Sequence, residues 1–172
     1  MQHEIELRGR ENTLPLNERN ENMETKIYAV YGSNMNLEQM SVRCPEAKVI
    51  GTGVLEDYKL TFRGIYKGVA NIEPCKGKEV PIVLWEITED CEMALDMYEG
   101  YPRLYEKREV KVKIGNKVKK TMVYVMTEEY TNKPSLPTDY YYNVIAKGYQ
   151  DNGLDLEPLK QALLESLKEV GQ

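Results

Sequence analysis

The hydrophobic positions of the chain form short runs interrupted by glycine, proline and acidic residues, a pattern more typical of strands than of long helices. Five of these runs are expected to be strands, at residues 26–31, 47–55, 59–62, 69–72 and 80–87. Pro81 indicates that the last of them begins at an edge or bulge, because proline has no N–H to donate. Residues 110–114 alternate apolar and polar positions before Gly115-Asn116, and residues 118–126 follow as a second strand, so this stretch predicts a β-hairpin.

Two segments between these strands carry signals for the start and end of a helix. The first covers residues 36–42 and ends before Pro45, which cannot continue a helix. The second begins at Thr88, a good N-cap that is followed by acidic residues in the first turn, and it ends near Gly100. Glu99 is therefore expected at the end of a helix, at the entrance to a loop.

Two further helices are predicted in the last third of the chain. Thr138 or Asp139 caps a short one, and residues 156–170 form an amphipathic C-terminal helix. Its apolar stripe, which predicts core or dimer packing, consists of Leu156, Leu159, Leu163, Leu167 and Val170. Residues 1–25 are polar and have little apolar periodicity, so they are expected to be a flexible arm or an added strand, with the folded domain at 26–172.

Short strands mixed with three or four helices indicate an α+β fold, a small, mostly antiparallel barrel or curled sheet surrounded by helices. The net charge of −5 gives no basic field for nucleic acid or for an anionic membrane surface, so neither is expected as a partner. No apolar run approaches the eighteen or so residues of a membrane span, and the first residues do not resemble a signal peptide. A cytoplasmic protein is expected.

The number and positions of histidine and cysteine restrict the kinds of catalytic and metal site that are expected. The single histidine, His3, lies in the polar arm, which argues against a Ser-His or Cys-His nucleophilic pair. Cys44, Cys75 and Cys91 are widely spaced and do not have the spacing of a zinc site or a disulfide framework. We therefore expect no metal, and an acid or base that works near neutral pH should be a carboxylate, lysine or tyrosine.

One candidate for chemistry is the sequence YGSNM at residues 31–35, where a strand ends abruptly and a helix begins soon afterwards. Such a turn presents several backbone N–H groups on one concave surface, which suits an anion or a developing oxyanion. Gly32 permits close approach of the backbone, while Ser33 and Asn34 add side-chain donors. The alternative is an ordinary strand-to-helix connection capped by Asn36.

The second candidate is Glu99, within the sequence LDMYEGYPRLY at residues 95–105. A carboxyl group among aromatic residues loses hydration, which raises its pKa and makes it useful as an acid or a base. The alternative is a solvated acid at a helix end, next to Arg103.

Together the two stretches resemble the gamma-glutamylcyclotransferase family. YGSNM resembles that family's Y-G-S-N-[LM] signature, and the residues Leu95-Asp96-x-x-Glu99-Gly100 resemble the segment with its catalytic glutamate. The similarity covers about residues 26–170. Its further parts are the strand end at 124–127, the tyrosines at 140–142 and the glycines at 148–154.

The resemblance implies a gamma-glutamylcyclotransferase-like fold, a small mixed barrel flanked by helices, and the release of a gamma-glutamyl group as 5-oxoproline. The substrate's own α-amine attacks its γ-carbonyl and expels an amine, with Glu99 as the proton shuttle. The turn at 31–35, including Met35, would hold the substrate's α-carboxylate or γ-carbonyl oxygen. No cofactor is implied.

The resemblance also implies a pocket wall of tyrosines, namely Tyr105, Tyr124 and one of residues 140–142, among which the spacing to Gly148 favours Tyr141. The identity of the leaving amine stays open, since gamma-glutamyl amino acids, glutathione-like peptides, gamma-glutamyl amines and gamma-glutamyl-protected natural products share the same reacting end. A non-catalytic module that binds a small metabolite in this pocket is the alternative function. A scaffold that binds a protein partner through the leucine stripe or the arm is a third.

Overall fold

Five strands form a closed barrel in the computed structural model, which describes residues 24–172, with the strand order β1-β3-β2-β4-β5. The predicted arm at 1–25 lies outside the described residues except for its last two positions, and Thr25 already belongs to the first strand. The strands are β1 (Thr25–Val30), β2 (Lys48–Arg63), β3 (Val69–Thr88), β4 (Tyr105–Ile114) and β5 (Lys117–Met126).

The barrel is mixed but mostly antiparallel. β1 pairs with β3, β3 with β2, β2 with β4 and β4 with β5 in antiparallel fashion. The barrel closes where β5 meets β1 in parallel, with Tyr28 opposite Met122. This architecture confirms the predicted fold class.

Two strands are much longer than predicted, because bulges absorb the residues that were expected to end them. The runs at 47–55 and 59–62 belong to the single strand β2, whose register against β3 shifts between Val49 and Gly51 and again between Glu56 and Tyr58. Asp57 fills the second bulge with a φ of 62°. The expected break between 69–72 and 80–87 is likewise wrong, because β3 is continuous.

The edge position expected for Pro81 is confirmed, although no strand begins there. Pro81 faces Val54 of β2, but β1 pairs with β3 only from Val83 to Thr88. Pro81 therefore stands at a local edge of the sheet, where an N–H is not needed.

The predicted hairpin and helix caps are confirmed in the structure. β4 and β5 form the hairpin, and Asn36, Thr88 and Thr138 accept hydrogen bonds from the first turns of α1, α2 and α4. The helices are α1 (Leu37–Arg43), α2 (Glu89–Glu99), α3 (Glu128–Thr131), α4 (Asp139–Asp151) and α5 (Glu157–Val170). A 3₁₀ turn at Ser33–Met35 precedes α1.

The C-terminal helix α5 packs on β2, but only part of the predicted leucine stripe is buried. Leu159 and Ala162 are in the core, whereas Leu167 and Val170 are each 48% exposed. These last two positions are therefore not part of the core, because the buried face continues through Ser166 instead, and packing against a second copy stays a prediction for them.

Helix α4 fixes the position of the 3₁₀ turn. Gly148 lies so close to the turn that a Cβ added there would be 2.7 Å from the backbone carbon of Met35. Asn152, the C-cap of α4, donates a hydrogen bond of 3.0 Å to the carbonyl oxygen of Met35. The turn is thus held from behind by a helix that follows it by more than a hundred residues.

Candidate active site

A cavity of about 200 Å³ lies between β1, the 3₁₀ turn and the end of α2. Eight of the nine residues predicted for the site line it, namely Tyr31, Gly32, Ser33, Asn34, Glu99, Tyr105, Tyr124 and Tyr141. Met35 does not line it. Its side chain is fully buried, and its backbone contacts Gly148 of α4, so it supports the turn from the opposite side.

Ser33 and Asn34 of the 3₁₀ turn line the cavity and carry backbone N–H groups that are available to a ligand. Within residues 24–172, the backbone N–H groups of Ser33 and Asn34 donate to no protein acceptor, as expected at the start of a helical turn. A Cβ at position 32 would lie only 3.2 Å from the Cβ of Ala70 on the opposite wall and would fill the space beside these N–H groups. Gly32 keeps that space open. The turn can therefore accept an anionic or carbonyl oxygen.

Glu99 is the last residue of α2, which ends at Gly100 in the left-handed conformation with a φ of 64°. The carboxyl group is partly buried in the cavity, and burial raises its pKa to about 7. The charge of Arg43 and a hydrogen bond from Asn34 act in the opposite direction and lower the pKa. Glu99 can therefore take up and release a proton near neutral pH.

Asn34 connects Glu99 to the rest of the site. Its amide nitrogen donates to Oε1 of Glu99 and to the hydroxyl of Tyr28, each at 3.0 Å. Its amide oxygen accepts from Nη1 of Arg43 at 2.7 Å, which fixes the orientation of the amide. Trp85 donates to the backbone oxygen of Asn34 at 3.1 Å, so side chain and backbone are both held.

Arg43, Tyr28 and Tyr98 are parts of the site that the sequence interpretation missed. The guanidinium of Arg43 stacks 3.7 Å from the ring centre of Tyr98, whose hydroxyl lies 3.1 Å from Oγ of Ser33. Helix α1 directly follows the signature turn, and Arg43 is its one basic residue. This position was the sequence signal that could have placed Arg43 in the site.

Three of the four tyrosines predicted for the site have hydroxyls that donate to protein acceptors. Tyr31 donates to the backbone oxygen of Tyr124 at 2.6 Å, and Tyr105 donates to that of Ala70 at 2.5 Å. Tyr124 donates to the carboxylate of Asp96 at 2.5 Å. These bonds fix the rings as a rigid wall.

Tyr141 differs from the other three. Its hydroxyl oxygen accepts the N–H of Ala70 at 3.0 Å, and within residues 24–172 its own proton goes to no acceptor. Burial raises the pKa of Tyr141, so it keeps this proton. Of its neighbours, Tyr140 is 75% exposed and Tyr142 does not line the cavity.

The chain is similar to proteins of one known family. The family model described as "Gamma-glutamyl cyclotransferase, AIG2-like" matches residues 28–143, which include the turn, Glu99 and Tyr141. The chain belongs to this family. The resemblance noted in the sequence is thereby confirmed.

Individual proteins named gamma-glutamylcyclotransferase are also similar to this chain. The chain is 31% identical to human gamma-glutamylcyclotransferase over 143 residues, which is 78% of this chain and 75% of the relative. It is 30% identical to the bovine protein of the same name over 152 residues, 83% of this chain and 80% of the relative. A solved structure of a gamma-glutamyl cyclotransferase matches with a TM-score of 0.72 and 32% identity, over 81% of this chain and 86% of the other.

The described residues contain neither a cluster suited to a metal nor a helix suited to crossing a membrane. Among residues 24–172, no group of three or more histidine, cysteine or acidic side chains has the arrangement of a metal site. None of the helices in this part of the chain is both long and apolar enough to cross a membrane.

Proposed function

We propose that this protein is a gamma-glutamyl cyclotransferase that releases 5-oxoproline and a free amine, with Glu99 as the proton shuttle. The observation that carries the proposal is the position of Glu99, a carboxyl group with a pKa of about 7 that opens onto a small cavity beside the signature turn. Family membership supports the reaction class.

The reaction removes two protons from the substrate's α-nitrogen, because an ammonium group becomes a lactam N–H, and it supplies protons to the leaving nitrogen. Glu99 in its ionised form takes a proton from the α-ammonium, and the neutral α-amine attacks the γ-carbonyl carbon to close a five-membered ring. In the tetrahedral intermediate Glu99 gives this proton to the leaving nitrogen, whose bond to carbon breaks, and then takes the second proton from the ring nitrogen, which becomes the lactam N–H. The released amine takes up that second proton as an ammonium ion, so Glu99 is ionised again. The attack is intramolecular, so no nucleophile of the enzyme is required.

The turn would hold the substrate's α-carboxylate. The N–H groups of Ser33 and Asn34 are available donors, and Gly32 allows a carboxylate to approach them closely. An α-carboxylate bound there places the adjacent α-ammonium toward Glu99, which lies 3.0 Å from the Asn34 amide. Substrate orientation and proton transfer thus depend on the same five-residue turn.

Tyr141 would donate to the γ-carbonyl oxygen as negative charge develops on it. Its hydroxyl is oriented by the N–H of Ala70 and keeps its own proton for another acceptor. A donor that is already oriented before the reaction stabilises an oxyanion without reorganisation. Tyr31, Tyr105 and Tyr124 serve as the fixed walls of the pocket.

The test is 5-oxoproline release from gamma-glutamyl-alanine by the wild type and by Glu99→Gln. Glu99→Gln should lower kcat by at least about 100-fold, because the amide cannot carry the proton, while calorimetry still detects substrate binding. Glu89→Gln, on the exposed first turn of the same helix, is the matched control and should keep wild-type activity. Turnover by Glu99→Gln at a near-normal rate would refute the proposal.

A further inference from the structure

The catalytic cavity is too small for a whole substrate. It encloses about 200 Å³, whereas sites that hold a complete small molecule usually measure about 300–1,000 Å³. Under the proposed function, on which this inference rests, the gamma-glutamyl part would fill the cavity. The leaving group must then lie outside it.

A second pocket, here termed the outer pocket, adjoins the catalytic cavity. It encloses about 400 Å³ and is lined by residues 64–67, Val69, Gly100, Arg103, Leu104 and Tyr130. Val69 and Leu104 line both spaces, and Gly100 directly follows Glu99. By contrast, a cavity of about 530 Å³ between α1 and α4 shares no lining residue with the catalytic cavity.

The outer pocket has an apolar surface exposed to solvent. Ile65 is 51% exposed and Tyr66 is 93% exposed, both on the loop between β2 and β3. Leu104 and Tyr130 supply apolar surface to the same pocket. Adjacent exposed apolar side chains beside a reaction site indicate that an apolar ligand group covers them.

The outer pocket is also cationic. Its lining includes Lys67 and Arg103 but no carboxylate, in a chain whose net charge is −5. Neither cation forms an ion pair with any group in residues 24–172. An arginine and a lysine at one pocket favour a carboxylate ligand.

The loop that carries Ile65 to Lys67 is anchored at both ends. The N–H of Gly64 donates to the carbonyl oxygen of Lys133 at 2.9 Å, and that of Gly68 donates to the carbonyl oxygen of Leu136 at 2.8 Å. The outer pocket is therefore formed before a ligand binds, which lowers the entropic cost of binding.

We propose that the outer pocket binds the leaving group, and that the preferred substrates are gamma-glutamyl dipeptides whose second residue has a bulky apolar side chain and a free carboxylate. The side chain would pack on Ile65, Tyr66 and Leu104. The carboxylate would pair with Arg103 and Lys67. The leaving amino acid is thus recognised at two points, one apolar and one charged.

The first experiment compares three substrates by 5-oxoproline release. Gamma-glutamyl-phenylalanine has both groups, gamma-glutamyl-alanine lacks the bulky side chain, and gamma-glutamyl-phenethylamine lacks the carboxylate. We expect kcat/KM for the phenylalanine dipeptide to exceed each of the others by at least about 10-fold.

The second experiment uses the double variant Lys67→Gln/Arg103→Gln, with Lys117→Gln as a matched control at the exposed start of β5. The double variant should raise KM for gamma-glutamyl-phenylalanine about 10-fold or more. Its ratio of kcat/KM between the dipeptide and gamma-glutamyl-phenethylamine should fall toward one. The control should keep the wild-type ratio.

The two proposals fail in different ways. If no substrate yields 5-oxoproline, the proposed function is wrong and this inference falls with it. If all three substrates yield 5-oxoproline at similar kcat/KM, or if the double variant keeps the wild-type ratio, the reaction stands and the role of the outer pocket is refuted.

Discussion

The side-chain amide of Asn34 lies 3.0 Å from Oε1 of Glu99, a residue 65 positions later in the chain. This contact joins the signature turn to the end of α2 and stabilises the ionised carboxylate, whereas burial stabilises the neutral acid. The balance leaves the pKa of Glu99 at about 7. The activity and the stability of the protein should both depend on pH through this one group.

The pH dependence of kcat/KM is the first prediction. Since the proposed mechanism begins with ionised Glu99, kcat/KM should rise with pH through about 7 and reach a plateau above it. The measurement is a profile from pH 5 to 8.5 with gamma-glutamyl-alanine. A rate that is unchanged across this range would contradict the assignment of Glu99 as the base.

Arg43→Met tests the positive charge beside Glu99. The charge of Arg43 lowers the pKa of Glu99, so its removal should shift the rising limb of kcat/KM to higher pH. We expect kcat/KM to fall by about 10-fold or more at pH 7 and by less at pH 8.5. Arg108→Met, which removes an exposed arginine on β4, is the control and should leave the limb in place. An equal loss at both pH values would indicate that Arg43 only holds Asn34.

Tyr141→Phe tests the proposed oxyanion donor. It removes the hydroxyl that accepts from Ala70 and keeps the ring, so kcat should fall by about 10²–10³-fold while KM changes little. Tyr140→Phe, at the exposed neighbouring position, is the matched control. A normal kcat with a raised KM would instead place Tyr141 in ground-state binding.

The stability of Glu99→Gln relative to the wild type should also change with pH. The pKa of Glu99 is about 7 in the folded protein and near its ordinary value of about 4.3 in the unfolded chain. Between these values the unfolded chain binds fewer protons, so the free energy of unfolding of the wild type falls as pH rises, and it levels off above 7. Glutamine has no such dependence.

The free energy of unfolding of Glu99→Gln, relative to that of the wild type, should therefore increase by about 1–2 kcal/mol from pH 4.5 to pH 8. This value is smaller than the full pKa difference would give, because solvent that enters the cavity screens the effect. Urea denaturation at both pH values measures it. A difference between the two proteins that stays constant with pH would show that Glu99 ionises normally in the folded state.

Gly148→Ala tests the support of the turn by α4. The added Cβ would lie 2.7 Å from the backbone of Met35, so helix and turn must separate. We expect a loss of about 1–3 kcal/mol in the free energy of unfolding and reduced activity, although Gly148 does not line the cavity. Asn143→Ala, on the exposed face of α4, should lower neither quantity, and equal effects of the two variants would argue against specific contact.

The sequence located the parts of the site that depend on local signals. Thr88 and Gly100 mark the two ends of α2, so Glu99 could be placed at the helix end without knowledge of the fold. Among the three tyrosines at 140–142, only the family resemblance favoured Tyr141. Local signals do not distinguish them, because consecutive residues of a helix point about 100° apart and the rotation of α4 is set by Gly148 against Met35.

Other parts of the site could not be predicted because they depend on contacts between distant elements. Arg43 reaches Tyr98 only when α1 lies beside the end of α2. The length of β2 was missed for a different reason. In the sequence Asp57 looks like a residue that ends a strand, but a bulge accommodates it and β2 continues.

The placement of Glu99 on the last turn of α2 has a consequence for binding itself. With a pKa of about 7, a substantial part of the free protein holds a proton on Glu99 at pH 7. An α-ammonium that arrives beside this carboxyl favours its ionised form and displaces that proton into the solvent. Association with substrate is then coupled to proton release, so its measured heat should vary with the ionisation enthalpy of the buffer.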